Sequence, residues 1–362
     1  MHSSPASTYD FGTVSPELQL ITKLCRRAFA CSREPDLPDE FGGINWNHFL
    51  RLARFHRVQG LISHSVASLG TVPADLRATL VDDARVIASS NLRAAAESLA
   101  ILSDFESAGI PLLFLKGLTL GARVYSEPLL KMGWDIDLLV APDDVVAAGK
   151  ILLCRGYRLV LPRNAAKLGR WHQWRKESVW ANHAGMYVEL HTRLADNPEL
   201  IGDIDVKSPV RPVDVAKDIR LPTFKDDELF AYLCAHGASS AWFRLKWITD
   251  FAGLIHSKPP SEIERLYKRS QQLRAYRAAD QALLLADALY GSLEGTDLKQ
   301  RLLRDGPSRI LFNAALRQVS IAEEPMEVTF GTWLIHWTQL LLKPGPAFKI
   351  GEVSRQIRDA IF

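Results

Sequence analysis

From Pro73 to Ser107 the chain is rich in Ala and Leu and carries no proline after its first residue, a run that fits one long helix. Gly109 stands just past its end, where a residue tolerant of positive φ commonly stops a helix. At Ile110 the hydrophobic period changes. PLLFL is a short apolar run behind that turn and is expected to be a buried strand. WDIDLLVAP alternates acidic and apolar residues up to Pro142 and gives a second strand, YRLVLP a third and MYVELHTRL a fourth. Between them LTLGARVYS is expected as a short helix closed by Glu127-Pro128, and residues 143–154 as a helix capped by Asp143 or Asp144. RNAAKLGRWHQWRKES is expected to be a basic, aromatic loop, and Pro198, Pro209, Pro212 and Pro222 mark a polar connection to a helical C-terminal stretch.

Helical spacing governs both flanks. Leu18, Ile21, Leu24, Cys25 and Ala28 recur at helical intervals, Phe49, Leu50, Ala53, Val58 and Leu61 mark one or two further helices, and the pattern is helical again from Asp226 onward. The expected fold class is therefore α+β. A compact α/β core over 109–225 lies between helical regions at 16–108 and 226–362, behind a loose tail at 1–15. A hydrophobic fraction of 47% supplies a packed core and argues against an unstructured binder. The net charge of only +3 gives no whole-molecule pull toward nucleic acid or an anionic membrane. Cys25, Cys31, Cys154 and Cys234 lack CxxC spacing, which speaks against a zinc ribbon or a disulfide framework. The first residues show no basic start followed by an apolar run, so no secretory signal is expected. The apolar stretch around Trp333–Leu342 is too short for a span of about twenty residues. A cytoplasmic protein is the expectation.

Asp135 and Asp137 are two apart in an expected strand, so their side chains leave the same face while Ile136 and Leu138 turn to the core. At about 3.3 Å rise per residue their Cβ atoms lie roughly 6–7 Å apart, close enough to converge on one small cation. Two such carboxylates repel each other unless a cation relieves them. Magnesium takes oxygen ligands at about 2.0–2.1 Å and keeps positions open for phosphate oxygens. A bare DxD is short and common, and two acids facing water at a sheet edge explain it equally well. Glu189 shifts the balance, because an isolated acid in the apolar strand YVELH is costly without a partner. If that strand lies beside the DxD strand, three carboxylates meet, enough for chemistry with two divalent ions. His191 shares the face of Glu189 and would order the site.

Lys116-Gly117 stands where an apolar strand passes into a helix, a turn whose backbone N–H groups favour phosphate. Taken alone it is an ordinary turn. Together with the DxD further along, it makes a layout that resembles the nucleotidyltransferase superfamily that includes DNA polymerase beta, and more closely the bacterial family of uncharacterised nucleotidyltransferases. The resemblance is carried by IPLLFLKGLTLGARVYSEPLLKMGWDIDLLV, GYRLV, YVELHTRL and DELFAYLCAHGASSAWFRLKWITDFAGLI, over roughly residues 45–290. It implies a small mixed-sheet core, Mg2+ or Mn2+, and a nucleoside triphosphate such as ATP as donor. By position it implies Asp135 and Asp137 as the metal-binding pair, Glu189 as the third acid, and Lys116-Gly117 in place of the superfamily's Gly-Ser turn. Lys131 stands where an arginine is expected, and Gly133-Trp134 makes the approach to the acids bulky.

Two further groups offer contacts. Arg163, Lys167, Arg170, Arg175 and Lys176 mix with Trp171, His172 and Trp174, which would grip phosphate or form a solvated loop. His236 and Lys246 are placed to line a cleft opposite the carboxylates, although tryptophans at the spacing of Trp242 and Trp247 more often pack a core. No HxxxH zinc motif or Ser-His-Asp layout is readable. The expected reaction is transfer of a nucleoside monophosphate to a small-molecule or peptide acceptor with release of pyrophosphate, nucleic acid being the less expected partner. The alternatives are an inactive nucleotide-binding protein of the same fold and a metal-dependent phosphohydrolase.

Overall fold

Polar side chains open the first helices. Ser15 caps α1 (Pro16–Arg27) by accepting the Leu18 N–H at 3.2 Å, and Asn45 caps α2 (Trp46–Phe55) through the His48 N–H at 3.0 Å. After α3 (Gln59–Ala67), the expected long helix is present as α4 (Ala74–Ser107), and Gly109 stands beyond it at φ +69°. The computed structural model describes residues 14–30, 43–67, 69–320 and 336–361. The tail before Val14, Cys31 and the apolar stretch from Trp333 as far as residue 335 lie outside them.

The four expected strands are β1 (Leu113–Phe114), β2 (Asp135–Leu139), β3 (Arg158–Leu161) and β5 (Tyr187–His191), with α5 (Leu118–Val124) and α6 (Val145–Cys154) where helices were expected. Asp144 stands at the start of α6 without capping it through its side chain. The stretch expected as a basic loop instead forms α7 (Leu168–Trp174) and β4 (Glu177–Ala181). Its strand residues Val179, Trp180 and Ala181 were hidden behind a charged lead-in, and Trp180 is wholly buried. The proline-marked connection likewise holds a hairpin, β6 (Val210–Ala216) and β7 (Ile219–Phe224), in which Pro212 faces Pro222. A two-stranded ladder leaves outward positions where a missing N–H costs nothing.

The five core strands pair in the order β1-β2-β5-β4-β3. β2 and β5 run parallel and the other pairs antiparallel, so the sheet is mixed. Alternation along β2 and β5 divides its faces. Ile136, Leu138, Val188 and Leu190 are buried with Phe105 of α4 and Leu152 of α6. Asp137, Glu189 and His191 leave by the opposite face.

The sheet is followed by helices α8 (Asp226–Ser239), α9 (Leu245–His256), α10 (Pro260–Gln272), α11 (Arg277–Tyr290), α12 (Leu298–Arg304), α13 (Gly306–Val319) and α14 (Pro346–Ile361), of which α8, α9 and α14 border the acid-bearing face. Their apolar residues form one continuous core with those of α1 to α3, joined to the sheet side through Leu115, Leu120 and Val124. Cys25 and Cys234 are buried thiols and Cys154 an exposed one. No described helix is long and apolar enough to cross a membrane.

Gly253 sets how closely α9 approaches α5. A Cβ there would lie 2.3 Å from a Val124 methyl and 2.9 Å from the Phe29 ring. Gly253→Ala is expected to destabilise the fold by about 1–3 kcal/mol through overpacking. Denaturant unfolding would measure it, and an unchanged midpoint would contradict the packing described.

Candidate active site

The register of β2 against β5 places Asp137 directly opposite Glu189, and Leu139 opposite His191. The adjacency that the sequence left as an assumption is thus present. Leu115 N–H bonds to the Asp137 carbonyl at 3.1 Å, which fixes the end of β1 beside the acids and delivers Lys116 to them. Gly117 then turns at φ +65°, ψ −120°, a conformation open to glycine and strained for other residues.

Lys116 Nζ lies 2.7 Å from an Asp137 oxygen and 3.4 Å from Asp135. Its ammonium therefore bridges the DxD pair. The Asp137 side chain has no exposed surface, and neither of its oxygens finds a well-directed hydrogen bond among the described residues. Burial pushes its acidity down, yet Lys116 and His191 outweigh burial and hold the carboxyl well below the usual range. The reciprocal holds for Lys116: burial disfavours its charge, and Asp137 with Asp135 raises its pKa well above the ordinary lysine value. Glu189 differs. Burial, with the nearby charge of Asp137, raises its pKa despite the imidazole of His191.

His191 links the acids to a residue that sequence reasoning missed. Its Nε2 lies 3.4 Å from Asp137 and 3.6 Å from Glu189, and its Nδ1 lies 3.3 Å from Glu177 at the start of β4. Burial opposes its charge, but Glu177, then Asp137 and Glu189, carry its pKa up to about 9. Glu177 in turn is ion-paired to Lys176, which overcomes burial and brings its pKa down to about 2. The signal was the alternation of ESVWA, obscured by the Arg175-Lys176 run before it. His172, offered as a phosphate contact, is buried between Thr192 and Ser178 at 3.0 Å each and supports β4 and β5 from behind.

Ligand atoms of Asp137, Glu189 and His191 all fall within 4.8 Å of one another, a set able to hold a metal ion. Asp135 shares Lys116 with Asp137. The fit to a divalent cation is good: the carboxylates converge, Asp137 is short of directed donors, and a lysine ammonium occupies the position of positive charge.

Two cavities meet at Lys116 and Asp135. One, of about 380 Å³, lies between the sheet and the C-terminal helices and is lined by Glu177, Glu189, His236, Lys246 and Trp247, among others. His236 Nε2 is buried there without a hydrogen-bond partner among the described residues, its ring edge-on to Trp247 at 5.7 Å. Lys246 has its pKa brought down to about 7 by burial, then by Lys131, Lys116 and Arg57. The other cavity, of about 330 Å³, opens on the α4 side and is lined by Gly117 and Lys131. Lys131 is buried with its ammonium 3.3 Å from Asp250, which also accepts the Tyr125 hydroxyl at 2.7 Å. Asn91 of α4 pins this approach by donating to the Leu129 and Lys131 carbonyls at 2.7 and 2.8 Å. The structure therefore gathers Lys116, Asp135, Glu189, His236 and Lys246 about the first cavity, and sets Asp137, Lys131 and Gly117, with Lys116 and Asp135 again, on the wall of the second.

With a folded pKa of about 9 against the ordinary 6.5, His191 contributes stability that is complete below pH 6.5 and lost as pH rises through 9. In the metal-free protein its imidazole resonances are expected to titrate near 9, and Glu177→Gln to move that midpoint toward 6.5. A midpoint indifferent to Glu177→Gln would refute the pairing.

No curated protein matches this chain. The profile of a family described as uncharacterised nucleotidyltransferase matches residues 42–291, a span that runs from just before α2 to the end of α11 and includes every residue of the site above. With its mixed sheet, its convergent acids and this match over most of its length, the chain belongs to that family of nucleotidyltransferases.

Proposed function

We propose that the protein transfers a nucleoside monophosphate from a triphosphate, ATP being the favoured donor, to a nucleophile on a small molecule or peptide, in the cytoplasm where triphosphates are abundant. The observation that carries the reading is Asp137 opposite Glu189 on adjacent parallel strands, with Asp135 on the same side of the same lysine. The strand-turn-helix with the DxD behind it supports a polymerase beta-like core.

Asp135, Asp137 and Glu189 would hold Mg2+ or Mn2+. When bound, such an ion neutralises phosphate charge and polarises the reacting oxygens. The remaining work belongs to the chain. Lys116 would leave the acids and meet the triphosphate from the Gly117 turn, and Lys246 and His236 would meet it from the opposite wall. Glu189, opposite Asp137, would either complete the metal site or accept the proton of the acceptor group. The acceptor oxygen bonds to the α-phosphorus, the bond to the bridging oxygen breaks, and pyrophosphate leaves. Catalysis would rest on positioning and charge complementarity, with no covalent enzyme intermediate. His191, held by Glu177, would keep Asp137 and Glu189 in place.

Incubation with each triphosphate labelled at the α-phosphate, with magnesium, tests the reading. Label moved to a small molecule only when metabolite extract is present supports transfer. Nucleotide hydrolysis without extract would indicate a phosphohydrolase, and no metal-dependent binding an inactive relative. Asp137→Asn is expected to lower turnover by about a thousandfold, the upper end for loss of one charge-stabilising group. Because an anion beside Lys246 raises its pKa from about 7, triphosphate binding near pH 7.5 should take up protons. Calorimetry in buffers of different ionisation enthalpy would show it, and Lys246→Met should remove most of the uptake. Equal uptake in that variant would displace Lys246 from the phosphate site.

A further inference from the structure

Resting on the nucleotidyl-transfer reading, we infer that the α4-side cavity is the acceptor pocket and takes an amphipathic small molecule with an apolar body and an anionic group. The cavity shares Lys116 and Asp135 with the polar one, so a ligand in each meets the other at the acids. Its volume of about 330 Å³ lies in the range of small-molecule sites, at roughly 300–1,000 Å³. Its character differs from that of its neighbour. Phe114, Ala94, Met186 and Leu221 supply apolar walls, whereas the polar cavity carries Lys246 and His236.

Three features point to a ligand rather than to idle space. Ser98 lies on this wall, 1% exposed, and its Oγ has no hydrogen-bond partner among the described residues, a cost that a bound polar group would relieve. Trp134, next to Asp135, stands 61% exposed at the rim, where a flat apolar ligand would cover it. Arg93 on α4 makes no ion pair among the described residues and faces the same opening, which suits a carboxylate or similar anion. Opposite α4, the turn between β4 and β5 is held in shape by Asn182, whose side chain accepts the Ala184 and Met186 N–H groups at 3.0 Å each. A ligand lodged between these walls presents its nucleophile toward Asp135, while the nucleotide occupies the polar side.

The test is a titration of the full chain with anilinonaphthalene sulfonate, an apolar ring system bearing one anion, with and without MgATP. The expected result is bound dye that MgATP does not displace. Ala94→Trp on α4 and Ala184→Trp on the facing turn should each weaken the dye at least tenfold, with MgATP affinity kept within twofold, and Arg93→Glu should weaken it too. A variant that misfolded would bind more dye rather than less, so the readout separates filling from unfolding. Competitive displacement by MgATP, dye binding indifferent to both tryptophan variants, or no dye binding would each overturn the inference. Dye binding in the expected pattern with no MgATP binding at all would instead sink the nucleotidyl reading and leave this cavity a small-molecule site.

Discussion

The buried Asp137 carboxylate, held by the Lys116 ammonium, is the constraint on which the rest of the core depends. A carboxylate without exposed surface is costly unless it is paired. The pairing needs Leu115 to hold the chain to β2 just past β1, Gly117 to turn it at positive φ, and β2 to carry its acids on the face away from Ile136 and Leu138. Shift β2 by one residue and the acids enter the apolar layer against α4, so the register is strongly specified.

Charge is arranged around that pair in a graded way. Asp135, Asp137, Glu177 and Glu189 are interleaved with Lys116, Lys176 and His191. Asp137 and Glu177 are held fully ionised, whereas Glu189 is pushed toward its neutral form. Environments that separate the pKa values of neighbouring acids suit them to different roles. On this account the lysine stabilises the acids when the site is at rest and turns to phosphate when a divalent ion takes its place.

Much of this was legible in the sequence, for particular reasons. Strand alternation gave the common face of Asp135 and Asp137, and the isolation of Glu189 among apolar residues marked it as a partner. The long α4 and its stop at Gly109 came from composition and backbone freedom. Glu177 was not legible, because Arg175 and Lys176 gave its strand the appearance of a solvated loop. The hairpin of β6 and β7 was hidden by prolines that a two-stranded ladder tolerates. Asn91, Ser98 and the salt bridge from Lys131 to Asp250 depend on which helix packs where, and no local pattern reports that.

The most direct check is a crystal structure with Mn2+ and a non-hydrolysable triphosphate, with the ions located by anomalous scattering. The account predicts manganese bound by Asp137 and Glu189, and the Lys116 ammonium moved onto phosphate oxygens. Manganese placed elsewhere, with Lys116 still paired to Asp137 beside a bound nucleotide, would contradict it.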